Sequence, residues 1–566
     1  MAHGTPHPAS IDPFSRSIAA ILDRPWLAAT LLGAVTLLVF LPAVACDFVN
    51  WDDTAYVSQN RLVLEGLTLR GVEAAFAAPV FHNWAPLTTI SYQLDATLFG
   101  GRPAGFHLTN VILHAASVAL LFLALERMTG AAGRSAAAAM LFGLHPMRVE
   151  SVAWIAERKD VLSVLFLTVA LVAYERACRR PGIAGSIAVW AAMLLSLLSK
   201  ATLVTLPVLL LLLDVWPLGR LGLPWSAGPA QGERRPSPYP AVSWRRAIVE
   251  KLPMFALSLL FVVITLRTQA RAMVSEATMP LVGVRIPNAI CAMGWYLWKT
   301  VWPTGLHPAH EHSGEAGPLW LVLTAAAAIV ALLLVAWRLR RACPAIGFGV
   351  CWFVAALAPV IGIVQVGFQA YAERFTYVPH VGLMVAVVWS CARAAARFRL
   401  PARVLSVALA AVAAAFASLD RLQIETWKNS EVLWRHVLSL VPDSVVGHCN
   451  LGAAFYDQGR LQDAIAEFRM SLAIRDTERA RTWLGLALAD SGRPEEALAE
   501  YGAALALNPD SAEAHNNVGI VLARMGRLSE AVVYFERACD LSPGDRDSLA
   551  NLRRARVELK ASEPGR

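Results

Sequence analysis

The chain has 566 residues, 56% of them hydrophobic and only 16% charged, against about 25% charged in a typical soluble domain. That apolar excess excludes a wholly soluble protein. The net charge of +8 sits in short loops between apolar runs, not in a stripe interleaved with aromatics, which excludes nucleic-acid binding and is the positive-inside signature of a membrane protein.

In chain order, residues 1–25 are polar, without a compact basic segment, and read as cytoplasmic. The first apolar run, 26–46, is too long for a signal-peptide core of about 7–15 residues and reads as an uncleaved span. Further runs lie at 106–126, 135–147, 160–175, 183–199, 201–217, 252–267, 317–337, 344–366, 376–392 and 404–419. Arginine-rich loops at 127–134, 176–180, 218–251, 338–341 and 393–403 fall on one side if 286–302 is a non-spanning or re-entrant segment. About eleven spans then place the N-terminus inside and the C-terminal tail outside. The eight cysteines are scattered without a paired motif. They predict neither a disulfide framework nor a zinc site.

The outer loops hold most of the membrane part's carboxylates and histidines. The first carries Asn50-Trp51-Asp52-Asp53-Thr54-Ala55-Tyr56, then His82, Asn83 and Trp84, and leads into His107, Asn110 and His114. The last three share one helix face by their spacing. Hydrogen bonding between helices is the plain reading for them. The second loop runs from His145 to Asp160 and crowds Arg148, Glu150, Glu157, Arg158, Lys159 and Asp160 into one connection. Glu150 and Glu157 would share a helix face, and Arg158 and Lys159 suit a phosphate. Lys200 sits alone between two apolar runs, as a snorkelling anchor or a lipid-phosphate contact. The last loop carries Tyr371, Glu373, Arg374 and Tyr377. Arg374 can offer a two-pronged donor to a phosphate. Carboxylates and cations at one membrane face, beside apolar walls, suit a substrate with a phosphate head and a lipid tail.

From Asp420 the composition becomes that of a soluble helical protein. Gly452, Gly485 and Gly519 recur about every 34 residues, followed by Gly459, Gly492 and Gly526, then Ala464, Ala497 and Ala531, then Phe468, Tyr501 and Phe535. This is the tetratricopeptide pattern. It predicts a half-repeat adaptor at 420–444 with Trp434 and Pro442, three repeats over 445–556, and a tail at 557–566. Such arrays bind extended peptide on a concave face. Asn450, Trp483 and Asn517 share one repeat position there, so they are candidate acceptor-peptide contacts, or ordinary helix-surface residues.

The expected fold is therefore all-α, a polytopic membrane domain over 26–419 followed by a soluble tetratricopeptide α-solenoid. The motifs WDDTAY (51–56), NWAPL (83–87), GFHLTN (105–110), HPMRVESVAWIAERKD (145–160), SKATLVTLP (199–207), LDVWPL (213–218), YLWKTVWP (296–303) and ERFTYVP (373–379) resemble the GT-C superfamily of membrane glycosyltransferases. More closely, with the trailing repeats, they resemble the transmembrane and tetratricopeptide-repeat-containing (TMTC-type) protein O-mannosyltransferases and their bacterial relatives. The resemblance covers nearly the whole chain. It implies a dolichyl- or polyprenyl-phosphate sugar as donor, mannose or another hexose, and a protein hydroxyl as acceptor, outside the bacterial inner membrane. It carries the catalytic acid of the first outer loop onto Asp52 or Asp53, with Glu150 beside it. His145, Glu157, Lys299 and Tyr377 fall within the motifs that would line the substrate site.

The expected reaction is one inverting displacement at the sugar's C1. A carboxylate takes the acceptor's proton, and Arg158, Lys159, Lys200 or Arg374 meets the leaving phosphate. Oxygen ligands would favour Mg²⁺ or Mn²⁺ if a metal takes part. Two rivals are a non-enzymatic membrane scaffold for envelope proteins and a transporter. The latter would want ionisable residues near mid-membrane, and the charges here sit mainly at one face.

Overall fold

A computed structural model describes residues 20–81, 83–223, 238–269, 282–312, 317–363 and 369–562. Most of the N-terminal segment 1–25, the end of the tail, His82, and parts of the loops 218–251, 268–316 and 367–375 lie outside the described residues. The chain divides into two compact units. One comprises 1–48 and 52–428, the other 49–51 and 429–566.

The first unit is a bundle of apolar helices. Among the described residues, six are long and apolar enough to cross a membrane: Pro25–Ala45, Pro103–Thr129, Ile155–Arg179, Leu319–Leu339, Pro379–Arg397 and Ala402–Glu425. Four shorter apolar helices are Ile183–Ser199, Ala201–Val215, Leu252–Thr268 and Pro344–Leu357. The run expected at 135–147 forms a helix of 12 residues, Ala132–Gly143, short of the roughly 20 a span needs. The segment 286–302, expected to be non-spanning or re-entrant, lies in one continuous helix, Val282–Val301, with Pro287 near its start. It does not turn back on itself.

Helices Pro344–Leu357 and Pro379–Arg397 approach closely because glycines face each other. A Cβ on Gly349 would lie 2.3 Å from the Gly382 carbonyl oxygen, and one on Gly382 would lie 2.6 Å from the Trp352 side chain. Small residues allow such approach between membrane helices. Elsewhere in the unit, Asp214 is buried and accepts from Tyr174 (2.6 Å), Arg220 (2.8 Å) and Lys251 (2.6 Å), while Arg220 also pairs with Glu250 at 2.9 Å. The acid of the LDVWPL motif is thus fully engaged in joining helices, and takes no part in a cleft.

The second unit stacks antiparallel helix pairs. These are Val445–Asp457 with Leu461–Ile474, Glu478–Asp490 with Pro494–Leu507, and Ala512–Arg524 with Leu528–Leu541. A helix Ser430–Leu440 precedes them, and Arg546–Ser562 follows. Each repeat glycine admits an aromatic ring from the partner helix. A Cβ on Gly452, Gly485 or Gly519 would come within 2.7 Å of Phe468, Tyr501 or Phe535 respectively. The second glycine of each repeat, with φ of 74° at Gly459, 78° at Gly492 and 79° at Gly526, ends the first helix in the left-handed conformation. Gly485→Ala should therefore overpack the middle repeat and cost about 1–3 kcal/mol. The measurement is thermal unfolding of the full-length protein. An unchanged midpoint would mean the ring moves aside freely.

The short segment Val49–Trp51 belongs to this second unit. Asn50 donates to the Asn450 carbonyl at 2.9 Å and accepts from the Trp434 indole at 2.7 Å, and Trp51 meets the Trp434 ring edge-on at 5.0 Å.

Candidate active site

The site lies within the first unit, where the segments 52–104, 146–160 and 369–379 meet. Asp53 is 1% exposed, and its Oδ1 accepts from the Ala156 backbone N–H at 2.8 Å. That bond pins the first of these loops to the second. Asp52, its neighbour, is only partly buried. A short π-helical turn, Thr54–Ser58, follows at once. It buries Tyr56, whose hydroxyl accepts from Asn83 at 2.7 Å. Lys159 sits over the Tyr56 ring at 4.7 Å, and its charge bears on Asp52.

The second loop and the ERFTYVP turn form one ionic cluster. Glu157 pairs with Lys159 at 3.2 Å, with Lys200 at 3.1 Å and with Arg374 Nε at 3.3 Å. Lys200 also reaches Asp160 at 2.8 Å. Arg374 donates to Glu150 twice, through its backbone N–H at 2.7 Å and Nη1 at 2.5 Å, and gives Nη2 to Gln369 at 2.6 Å. Lys200, at 16%, is the more exposed cation of the set, against 9% for Lys159 and 6% for Arg374. Asp160, Lys200 and Arg374 line a small cleft with Thr202 and Tyr377, and Leu203, Ala356 and Val360 supply apolar wall. Asp160 Oδ2 is buried there without a protein partner.

Behind Arg374, Glu150 interacts with a second carboxylate, Glu373. Glu373 accepts from the His307 backbone N–H and contacts His310 Nε2, both at 3.0 Å. Burial pushes Glu150 up to about 8. Arg374 opposes this, and the adjacent Glu373 reinforces it. Burial also raises Glu373. Two buried carboxyls in contact hold one proton between them. A folded value above the ordinary 4.5 means stability tied to this proton is full below about pH 4.5 and lost as pH rises through about 8. The wild-type unfolding temperature should fall across that window relative to Glu150→Gln. Parallel curves for the two proteins would show that no such proton is held.

Several candidates take positions that the sequence did not signal. Arg158 is turned inward. It meets Asp95 at 2.5 Å, Asn110 at 2.8 Å, and the carbonyls of Phe106 (2.7 Å) and Ser91 (3.2 Å), all away from the cleft. This corrects its expected role as a phosphate contact. His145 is buried, 3.1 Å from the Thr300 carbonyl and edge-on to His380. It does not line the cleft. Tyr377 lines the cleft, and its hydroxyl meets His114 at 2.6 Å. Lys299 donates to the Thr304 carbonyl and lies over Trp295, outside the lining of the cleft, with the charge of Glu373 bearing on it. Asp160, Glu373, Gln369 and Asp95 were not singled out as site residues from the sequence. Asp160 and Glu373 carried a signal, since Asp160 closes the same charged stretch as Glu157 and Glu373 precedes Arg374 in the ERFTYVP motif.

Among the described residues, no three His, Cys, Asp or Glu side chains converge as a metal site requires. The carboxylates of Glu157 and Asp160 already face lysines. These residues do not fit a divalent ion.

In the second unit, Asn450 is buried. It donates to the Val446 carbonyl at 2.8 Å and accepts from Arg479 at 3.0 Å. Its amide is therefore engaged within the array. Trp483 stacks on Phe468 with ring centroids 6.2 Å apart. Asn517 is partly buried.

The tetratricopeptide repeat family matches residues 484–546. Mouse protein O-mannosyl-transferase TMTC4 is 23% identical over 497 residues, covering 79% of this chain and 66% of that protein. Human protein O-mannosyl-transferase TMTC1 is 26% identical over 495 residues, covering 79% of this chain and 55% of that protein. The fruit-fly Tmtc1 is 33% identical over 139 residues, 24% of this chain and 16% of that protein. The chain thus spans between about half and two thirds of the two relatives it matches at length. Among solved structures, MamA is 25% identical with a TM-score of 0.22, over 23% of this chain and 72% of that one.

Proposed function

We propose that this chain, a relative of the TMTC-type protein O-mannosyl-transferases, is a GT-C-like membrane glycosyltransferase that moves a hexose, mannose first among candidates, from a polyprenyl-phosphate donor to a protein hydroxyl. We place the reaction on the periplasmic side of a bacterial inner membrane, with the repeats there to present the acceptor. The observation that carries this reading is the cleft in which Lys200, Arg374 and Asp160 meet an apolar wall. A lipid phosphate needs both kinds of surface.

Asp52 is the proposed base. It takes the acceptor's hydroxyl proton while that oxygen attacks C1 from the face opposite the phosphate. The C1–O bond to phosphate breaks with inversion, and the lipid phosphate leaves without protonation, because it is a weak base already. Lys200, with Lys159 and Arg374, offsets its charge, a fixed electrostatic contribution in a water-poor site. Asp53, Glu150 and Glu157 hold these groups in place. The oxocarbenium-like character expected at C1 is favoured by nearby carboxylates.

The test is transfer in lipid nanodiscs with labelled polyprenyl-phosphate hexoses and a periplasmic extract. Label on protein is expected with the mannosyl donor. Folded protein that neither transfers nor binds any labelled donor would replace this reading with a membrane-anchored repeat scaffold.

A further inference from the structure

A second cavity lies at the other end of the helices that carry the cleft. The cleft is walled by Leu203 and Ala356, while the second cavity is walled by Val215, Trp216 and Gly347. Twelve residues of helical chain separate Leu203 from Val215, about 18 Å at 1.5 Å each. This cavity is a groove of about 310 Å³ between helices Ala201–Val215, Leu319–Leu339 and Pro344–Leu357. That is the lower end of the size range of small-molecule sites, about 300–1,000 Å³.

Its lining is apolar, with Leu212, Trp216, Trp337 and Phe348 among the walls, except for Arg340. The Arg340 guanidinium lies 3.8 Å from the Trp337 ring centroid and gives Nη1 to the Trp337 carbonyl at 2.6 Å. A guanidinium carries five N–H donors, so most of Arg340's remain for a ligand. Arg338 and Arg341 flank it in sequence, and the charges of Arg134 and Arg393 bear on nearby Cys343. Among the described residues none of these five arginines is ion-paired with a carboxylate. An apolar slot ending in unpaired positive charge, walled by the buried Trp216 and the exposed Trp337, is complementary to one acyl chain joined to an anionic head.

We propose that this groove binds one anionic glycerophospholipid, its acyl chain between Trp216 and Trp337 and its phosphate on Arg340. The site is separate from the reaction cleft and does not depend on the proposed activity. Anionic lipids are concentrated where juxtamembrane basic residues meet the bilayer surface, which is where this loop of arginines stands.

The experiment is native mass spectrometry of the full chain, delipidated and then offered phosphatidylglycerol, phosphatidylcholine of the same chains, or undecaprenyl phosphate. Wild type should retain one phosphatidylglycerol at least tenfold over phosphatidylcholine. Arg340→Gln should lose that selectivity. Gly347→Leu should lose retention altogether, and it suits the test because a Cβ at Gly347 meets nothing within 4 Å. Equal retention of both phospholipids by wild type, or full retention by a folded Gly347→Leu, would overturn the proposal. So would undecaprenyl phosphate alone being displaced by Gly347→Leu, which would assign the groove to the isoprenoid.

Discussion

Asp52→Asn is expected to lower sugar transfer by about 10²–10⁴-fold, the usual worth of a positioned base, with little change in unfolding temperature. The adjacent Asp53→Ala is expected to behave in the opposite way. Asp53 is buried and fixes the Ala156 backbone N–H. Its loss leaves that donor unpaired, at about 1–3 kcal/mol. Asp52 is partly open, so an acceptor hydroxyl can reach it, and Lys159 and Asp52 interact electrostatically. The check is transfer rate and unfolding temperature measured side by side on both variants. Rate loss in Asp53→Ala without any stability loss would reverse the assignment of base and anchor.

The second large effect concerns Arg374. It binds Glu150 at two points and Glu157 at a third, all in a buried setting. Removing one member of a buried ionic cluster leaves charge without compensation and costs about 3–5 kcal/mol. Arg374→Leu should therefore lower stability by that amount and abolish activity with it. Arg374→Lys keeps the charge but cannot span Glu150, Glu157 and Gln369 together, because an ammonium is a point donor where a guanidinium is a fork. It should recover part of the stability and little of the activity. Chemical denaturation in mild detergent would decide. Wild-type stability in Arg374→Leu would show the cluster to be loosely held.

Much of the architecture was legible because it repeats. Apolar runs of span length and a period of about 34 residues each leave a signal that local composition cannot mimic. The site was legible only in its neighbourhoods. The density of charge between His145 and Asp160 marked the right loop, yet it could not say which way each side chain points. Arg158 and Lys159 adjoin in sequence, but successive residues on a helix are about 100° apart. One turns to Asp95 inside, and the other to Glu157 beside the cleft. The partners of these groups were out of reach for a second reason. Asp95 is 63 residues from Arg158, and Glu150 meets Arg374 across 224 residues. Such pairings are set by how helices pack, and no periodicity records them. The short helix Ala132–Gly143 resembles a span in sequence because its apolar run, 135–147, continues through the His145-Pro146 turn, where the helix has already ended.

The placement of Val49–Trp51 bears on how the repeat unit can be handled by itself. These three residues come from a loop nearly 400 positions upstream of the helix whose indole they cover. A fragment begun at Asn429 would lack them. Trp434, wholly buried in the intact chain, would lose its hydrogen-bond acceptor and the Trp51 ring against it. The repeat unit is thus discontinuous in sequence, completed by a borrowed tripeptide. Its independent stability is expected to return only when a peptide bearing Val49-Asn50-Trp51 is supplied or fused.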